Sequence, residues 1–418
     1  MNAPKANQSK AISPQRLWQS LMDLARIGAT PKGGVCRLAY SDEDRQGRSF
    51  FIGLCEQAGL QVAIDAIGNI FARRVGRDPS APLIMIGSHL DSQPTGGRFD
   101  GAYGVMSGLE VVRALNDCDV QTQAGIEIVC WANEEGTRFQ PALMGSSVYT
   151  GRLPLADMLA AKDNDGISVG AELATDPLQK TLPQRDALSI ATYLEIHIEQ
   201  GPVLEDAALP LGIVSGVQGI RWYDIRITGA ETHAGPTPMP LRHDALMGAA
   251  ELALAFEAAA LQYAPDGRGT VGTFTPHPGS RNVVPGRVDI SGDLRHPDND
   301  VLDAMETLVR ETGARIAERR GITIEITLFW KADPVPFDPK AQQILRNKAD
   351  MLGFPYIDMV SGAGHDAQCL GTIAPAAMLF IPCLGGVSHN EAESITSDQA
   401  EVACAVLYEA VLELAGTA

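Results

Sequence analysis

Hydrophobic positions along the chain follow two different rhythms. Residues 13–28 and 41–59 carry apolar positions at helical spacing, with Ser13 and Ser41 placed as N-caps and Pro14 suited to the first helical position. Residues 62–64 and 69–72 read as paired strands around a turn. Leu83-Ile-Met-Ile is an unbroken apolar run, as expected for a strand buried on both faces. A helix over 104–115 and a strand over 126–132 follow. Residues 151–190 read as small helices with loops, and 191–198 as a strand.

The rhythm changes near residue 211. Residues 212–216 and 221–228 alternate in polarity, as in a sheet with one wet face. An Ala- and Leu-rich helix is expected over 243–262, strands over 269–275 and 286–294, a helix over 300–320 and a strand over 322–329. That order is β-α-β-β-α-β, in which two helices cover one face of an antiparallel sheet. The first rhythm then returns, with a helix over 339–352, a strand over 374–381 and a helix over 397–414. The expected fold is therefore α/β. A mixed-sheet catalytic domain is built from residues 1–211 and 330–418, and a ferredoxin-like α+β domain, residues 212–329, is inserted in it.

Composition narrows the function classes. The chain has 418 residues, enough for two cores, and 51 acidic against 33 basic residues give a formal charge of −18. That balance argues against nucleic acid or an anionic membrane as partner. No run of about 18 apolar residues is evident in the sequence, so no membrane span is expected. The seven cysteines show no C-x-x-C spacing, which fits neither a disulfide framework nor a thiolate zinc site and suggests a reducing compartment. Residues 1–13 are polar and read as a loose tail without a leader, and a cytoplasmic location is expected.

The chemistry gathers at strand ends. After the apolar run comes Gly87-Ser-His-Leu-Asp-Ser-Gln-Pro-Thr-Gly-Gly-Arg-Phe-Asp-Gly. His89 reads as a metal ligand and Asp91 as the carboxylate that accepts its other N–H and fixes its tautomer. Asp100, beyond two glycines, can fold back as a second ligand. The alternative is a glycine-rich turn with polar surface residues. The strand over 126–132 ends in Asn133-Glu-Glu-Gly136. Adjacent carboxylates repel unless their roles are separated, so Glu135 reads as a ligand and Glu134 as a general base; the alternative is a solvated acidic loop. His197 and His389 stand at further strand ends. A His/Asp/Glu set without thiolates suits Zn²⁺, Mn²⁺, Co²⁺ or Ni²⁺, and two His sets sharing one carboxylate make a dinuclear site with ions about 3.5–4 Å apart.

These segments resemble the dinuclear-metal amidohydrolases that act on N-carbamoyl amino acids, β-ureidopropionate and allantoate, within the aminoacylase and carboxypeptidase superfamily. The motifs are Gly-Ser-His-Leu-Asp-Ser with Gly-Arg-Phe-Asp-Gly, Asn-Glu-Glu-Gly-Thr-Arg-Phe, His-Ile-Glu-Gln-Gly, Thr-His-Ala-Gly-Pro-Thr-Pro-Met and Gly-Gly-Val-Ser-His-Asn-Glu. The resemblance runs from about residue 15 to 415. It implies that Asp100 bridges two divalent ions, that His89, Glu135, His197 and His389 complete their coordination, and that Glu134 is the general base. It implies that the inserted domain is a lid and dimer interface. In that domain His233 stabilises an oxyanion, and Asn282 and Arg295 bind substrate. Arg295 suits a substrate carboxylate on chemical grounds, because a guanidinium pairs with it bidentately. Gln200, Gln218 and Arg221 are further substrate candidates, as is Gly364 in Gly362-Ala-Gly-His-Asp-Ala, where backbone N–H groups can hold a carboxylate. His365 reads as substrate-side or structural.

The expected activity is hydrolysis of the carbamoyl C–N bond of an N-carbamoyl amino acid by a homodimer. Allantoate hydrolysis is the alternative, or an aminoacylase or aminopeptidase reaction of the same superfamily. A reading from another class is a metal-free binding protein that keeps the fold.

Overall fold

The computed structural model of the chain describes residues 11–185 and 188–416. Residues 1–10 of the expected tail lie outside the described residues. The chain divides into two compact units: Met1–Ser215 with Phe337–Ala418, and Gly216–Pro336. The sequence pattern put the breaks at 211/212 and 329/330. Both fall later because the strands on either side run on past the points where the rhythm changes.

In the first unit the strands are β1 (Gln61–Ile64), β2 (Ile70–Arg74), β3 (Leu83–His89), β4 (Ile126–Trp131), β5 (Ile190–Ile198) and β6 (Leu211–Val217), the last of which continues into the second unit. The second unit holds β7 (Gly219–Thr228), β8 (Thr232–His233), β9 (Arg268–Thr270), β10 (Phe274–His277), β11 (Val283–Val284), β12 (Arg287–His296), β13 (Thr323–Ala332) and β14 (Val335–Pro336). The first unit resumes with β15 (Tyr356–Ser361) and β16 (Ala376–Ile381).

The large sheet is ordered β1-β2-β4-β3-β5-β16-β6, with β15 also paired to β6. Strands β4, β3, β5 and β16 run parallel to one another, β2 and β6 flank them antiparallel, and β1 pairs antiparallel with β2 at the edge. β3, β4 and β16 are buried along their whole length, which is why they read as apolar runs. Alternation still sorts their side chains. Ile84, Ile86, Ile126, Ile128, Leu194, Ile196, Ala377 and Leu379 face a core shared with the helices Pro14–Leu24, Ala102–Asp117, Pro339–Leu352 and Ser397–Ala415. The intervening positions His89, Trp131, Tyr193, Glu195 and His197 take the opposite face. Sequence alternation therefore puts two histidines and a glutamate together before any loop is placed.

Ser13 and Ser41 cap their helices as expected, accepting from the N–H groups of Arg16 and Asp44. β15 was not foreseen, because Tyr356-Ile-Asp-Met-Val-Ser is half-buried and mixes polar with apolar positions.

In the second unit the main sheet is ordered β10-β12-β7-β13, the order of a ferredoxin-like fold. Its core lies between that sheet and the helices Ala245–Gln262 and Asn299–Arg320. The single strand expected over 269–275 is two, β9 and β10, each paired with β12. The helix Ala245–Gln262 corrects the reading that no stretch is apolar enough to cross a membrane: by length and composition it is. It is nonetheless a core helix, packing Ala245, Ala249, Leu252, Phe256 and Ala259 inward.

Asn69 ties the turn between β1 and β2 to the end of β4. Its Oδ1 accepts from the N–H of Ala132 at 2.9 Å, and its Nδ2 donates to Asp65 at 2.8 Å and to the carbonyl of Gly145 at 3.0 Å. The residue is fully buried, so Asn69→Ala strands these partners away from water. The expected loss is at least about 1–3 kcal/mol, read as a lower urea midpoint for the transition that unfolds the large sheet.

Candidate metal centre

The four parallel strands end at one edge of the sheet, where an open α/β fold places its ligands. β3 ends on His89, β5 carries His197 one residue before its end, β4 leads into Glu134 and Glu135, and β16 leads into the loop that holds His389. Asp100 comes back to the same place on the loop after β3. Gly101, at φ +62°, makes the return possible: a Cβ there would overlap the His89 imidazole.

Asp100 occupies the middle. Its Oδ1 lies 3.5 Å from His89 Nε2 and 3.1 Å from His197 Nε2, and its Oδ2 lies 3.3 Å from His389 Nε2. Glu135 Oε2 is 3.4 Å from the same His389 nitrogen. Two donor groups result, His89–Asp100–His197 and Asp100–Glu135–His389, each with its atoms within 4.8 Å of one another. Glu134 Oε2 stands 3.5 Å from His89 Nε2.

Two imidazoles have their tautomers set from behind. His89 Nδ1 donates to the carbonyl of Asp91 and His197 Nδ1 to the carbonyl of Ile198, each at 2.9 Å. Both Nε2 atoms therefore face the centre. This corrects the role expected of the Asp91 side chain. Its Oδ1 is 3.7 Å from His89 Nδ1, and its two oxygens instead accept from the N–H groups of Glu134 at 3.2 Å and Glu135 at 3.1 Å. Asp91 thus fixes the end of β4 relative to β3.

Electrostatics test whether a cation fits. Burial opposes charge on His89, yet Glu134, Asp100 and Asp91 hold its pKa well above the imidazole range. Burial likewise opposes ionisation of Asp100, but hydrogen bonds from His197, His389 and His89 hold it well below the carboxylate range. Burial raises Glu134 well above its usual value, with Asp366, Glu135 and Asp91 adding to the effect and His89 opposing it. Glu135 is pushed to about 7, by burial first and then by Asp100. Buried carboxylates crowd three imidazole nitrogens here, and a divalent cation supplies the positive charge they call for. The donors fit such an ion.

Residues without a sequence signature hold this arrangement. Gln93 Nε2 donates to Glu135 Oε2 at 2.7 Å, and Gln93 accepts from Thr137 at 2.8 Å. Gln200, expected at the substrate, instead donates from Nε2 to Asp100 Oδ2 at 2.9 Å. His365 is buried, with its ring 4.6 Å from that of His197 and its Nε2 2.9 Å from Ser361 Oγ. Burial and the neighbouring His197 keep it neutral. It is a wall of the site, and the adjoining Gly364 lies on the loop before the helix Asp366–Leu370.

The other candidates lie in the second unit. β8 pairs with β11, which brings His233 Nε2 within 3.2 Å of Asn282 Nδ2. Asp293 grips the Arg295 guanidinium through Nε at 3.0 Å and Nη2 at 2.8 Å. Arg221 pairs with Asp303 and, at 3.1 Å, with Glu306. Its charge is matched inside the unit, joining the sheet to the helix Asn299–Arg320. Gln218 is buried between β6 and β7 in the chain.

A mixed sheet whose parallel strands deliver two donor groups around a shared carboxylate fits a divalent metal site. Residues 85–413 match the peptidase family M20/M25/M40, and the chain belongs to that family. It is 42% identical to an N-carbamoyl-L-amino-acid amidohydrolase of Rhizobium meliloti, with 99% of each chain covered. It is 33% identical to an allantoate amidohydrolase of Bacillus subtilis, covering 94% of this chain and 95% of that one. A hydantoinase/carbamoylase family amidase from Burkholderia multivorans superposes with a TM-score of 0.94 at 47% identity, covering 97% of this chain and 98% of that one.

Asp91→Asn replaces an acceptor with a donor facing an N–H group, and so releases Glu134 or Glu135 from its place. The expected loss of Zn²⁺ affinity is about 10- to 100-fold, measured by competition with a chelator.

Proposed function

We propose that the protein hydrolyses the carbamoyl C–N bond of an N-carbamoyl amino acid, using two divalent ions held by His89, Asp100, Glu135, His197 and His389. The observation that carries this reading is the Asp100 carboxylate, one oxygen directed to each donor group, with Glu134 beside it. The likeness to the N-carbamoyl-L-amino-acid amidohydrolase supplies the substrate class. Zn²⁺ is the first choice of metal, with Mn²⁺, Co²⁺ and Ni²⁺ compatible with the same donors.

When bound, such ions polarise a carbonyl and lower the pKa of water. Glu134 does the proton work. Its carboxylate, 3.5 Å from His89 Nε2 beside the donor groups, takes the proton of the attacking water and hands it to the departing nitrogen, and burial, which raises its pKa well above the usual value, suits it to holding that proton in between. Water oxygen adds to the ureido carbon, the bond from that carbon to the amino-acid nitrogen breaks, and the nitrogen leaves protonated. The carbamate left behind decays to CO₂ and ammonia. Gln200 steadies Asp100 throughout. In this reading the second unit is the lid. His233, paired with Asn282, is the residue assigned to the developing oxyanion, and Arg295 the one assigned to the substrate carboxylate, which its guanidinium suits as a fork. Gln218 and the backbone at Gly364 complete the substrate contacts.

Allantoate is a second reading, favoured by the likeness to the Bacillus subtilis enzyme. It presents the same ureido group and carboxylate. A panel of N-carbamoyl amino acids, N-carbamoyl-β-alanine, allantoate, an N-acyl amino acid and a dipeptide separates the readings; turnover of the dipeptide alone sinks both. Glu134→Gln is expected to keep its metal and lose about 100- to 10,000-fold in kcat.

The enzyme is proposed as a cytoplasmic homodimer that contacts its partner through the second unit. Its seven cysteines are free thiols. On the helix Ala245–Gln262, Met247, Leu254 and Leu261 recur at heptad spacing and are 41%, 64% and 69% exposed, an apolar stripe that a second copy would cover. Leu254→Glu with Leu261→Arg is expected to shift the mass seen by light scattering from dimer to monomer.

A further inference from the structure

The loop that carries His389 also carries Glu393, and that side chain is 1% exposed. Its Oε1 accepts from the backbone N–H of Phe99 at 2.9 Å and of Asp100 at 3.1 Å. Its Oε2 lies 2.9 Å from Ser388 Oγ, and the same hydroxyl lies 3.1 Å from Asp100 Oδ2. One glutamate therefore touches Asp100 at its main-chain nitrogen and, through one hydroxyl, at its carboxylate. Gly97 is shaped to this contact, since a Cβ there would overlap the Glu393 carboxyl group.

The two donor groups differ in how much they need such a brace. His89 and His197 stand on buried strands, with both Nδ1 atoms fixed by carbonyls. His389 stands on a loop, at φ +52° and with half of its side chain exposed. The Oδ2 side of Asp100 is set by Gln200, Ser388 and His389, all from loops. Without Glu393, the Phe99 and Asp100 N–H groups lose their acceptor and Ser388 loses its anchor, so the two loops are no longer tied together.

We propose that Glu393 is a positioning residue that ties the Asp100 loop to the His389 loop, and that the Asp100–Glu135–His389 donor group depends on it while His89–Asp100–His197 does not. The proposal rests on the reading of both groups as metal positions. Glutamine can replace Glu393: its Oε1 accepts from the same N–H groups, and its Nε2 donates to Ser388, whose hydroxyl still reaches Asp100.

The test compares the full-length wild type with Glu393→Ala and Glu393→Gln. Bound Zn²⁺ is counted by elemental analysis, its dissociation constants are measured by chelator competition, and circular dichroism monitors folding. The wild type is expected to hold about two ions. Glu393→Ala should bind one ion normally and the other about 10- to 100-fold more weakly, and Glu393→Gln should restore both. A wild type with a single ion would remove the dinuclear reading and the proposal with it. If the wild type holds two ions, unchanged affinities in Glu393→Ala, or equal weakening of both, overturn the proposal alone. Should Glu393→Ala fail to fold, Ser388→Ala decides. Selective weakening of one ion supports the tie, and unchanged binding of both overturns it.

Discussion

One carboxylate has to face two ways. Asp100 presents Oδ1 to His89 and His197 and Oδ2 to His389, and much of the first unit serves to keep it there. A carboxylate in solution rotates freely about its last bond, so a single hydrogen bond cannot hold it across two donor groups. Here Gln200 and Ser388 hold Oδ2, Glu393 holds the main chain, and Gly101 lets the loop pass against the His89 ring. The contacts of Gln200, Ser388 and Glu393 cross 100, 288 and 293 residues of sequence, so they depend on the sheet having formed in register first.

The sheet supplies what the loops cannot. Parallel strands need crossovers, and the crossovers bury both faces. Burial on both faces makes β3, β4 and β16 rigid, and His89 inherits that rigidity as the last residue of β3. On the face opposite the helical core, Glu195 is fully engaged. Glu195 accepts from Ser88 at 2.9 Å, from Tyr193 at 3.1 Å and from the N–H of Ala367 at 2.9 Å. The Ala367 bond reaches the start of the helix Asp366–Leu370, next to His365. His197 therefore sits above an acidic residue two positions back on its own strand and beside an imidazole held neutral. Its freedom to turn is removed without any ligand present.

What the sequence made legible follows from whether a residue acts through its local setting. His89, Asp100, Glu135, His197 and His389 could be found because a strand end, a glycine turn and a paired carboxylate leave marks on neighbouring positions. Strand alternation even predicts that His89 and His197 share a face. The Asp91 side chain was misread for the converse reason: proximity in sequence suggested His89 as its partner, while the sheet register carried its carboxylate across to β4. Glu393, Gln93 and the actual contact of Gln200 have no local signature, because their partners lie on other loops. In the second unit the β-α-β-β-α-β order was legible from periodicity. The short β8–β11 pair that brings His233 to Asn282 was not, since two-residue strands have no period.

Arg221 and Arg295 show how far residue type can be trusted. Both are arginines on strands of the second unit, and both suit a carboxylate. Arg221 is buried on the helical side of its sheet and meets Asp303 and Glu306 on the covering helix. The cost of burying its charge is offset there, and a ligand would have to displace two carboxylates. Arg295 alternates to the other face, half-exposed, and is held by Asp293 two residues away on the same strand. That grip fixes the direction of the guanidinium without covering it in the core. Strand alternation thus decides which of two chemically equal side chains is buried under the helices and which lies on the opposite face of the sheet.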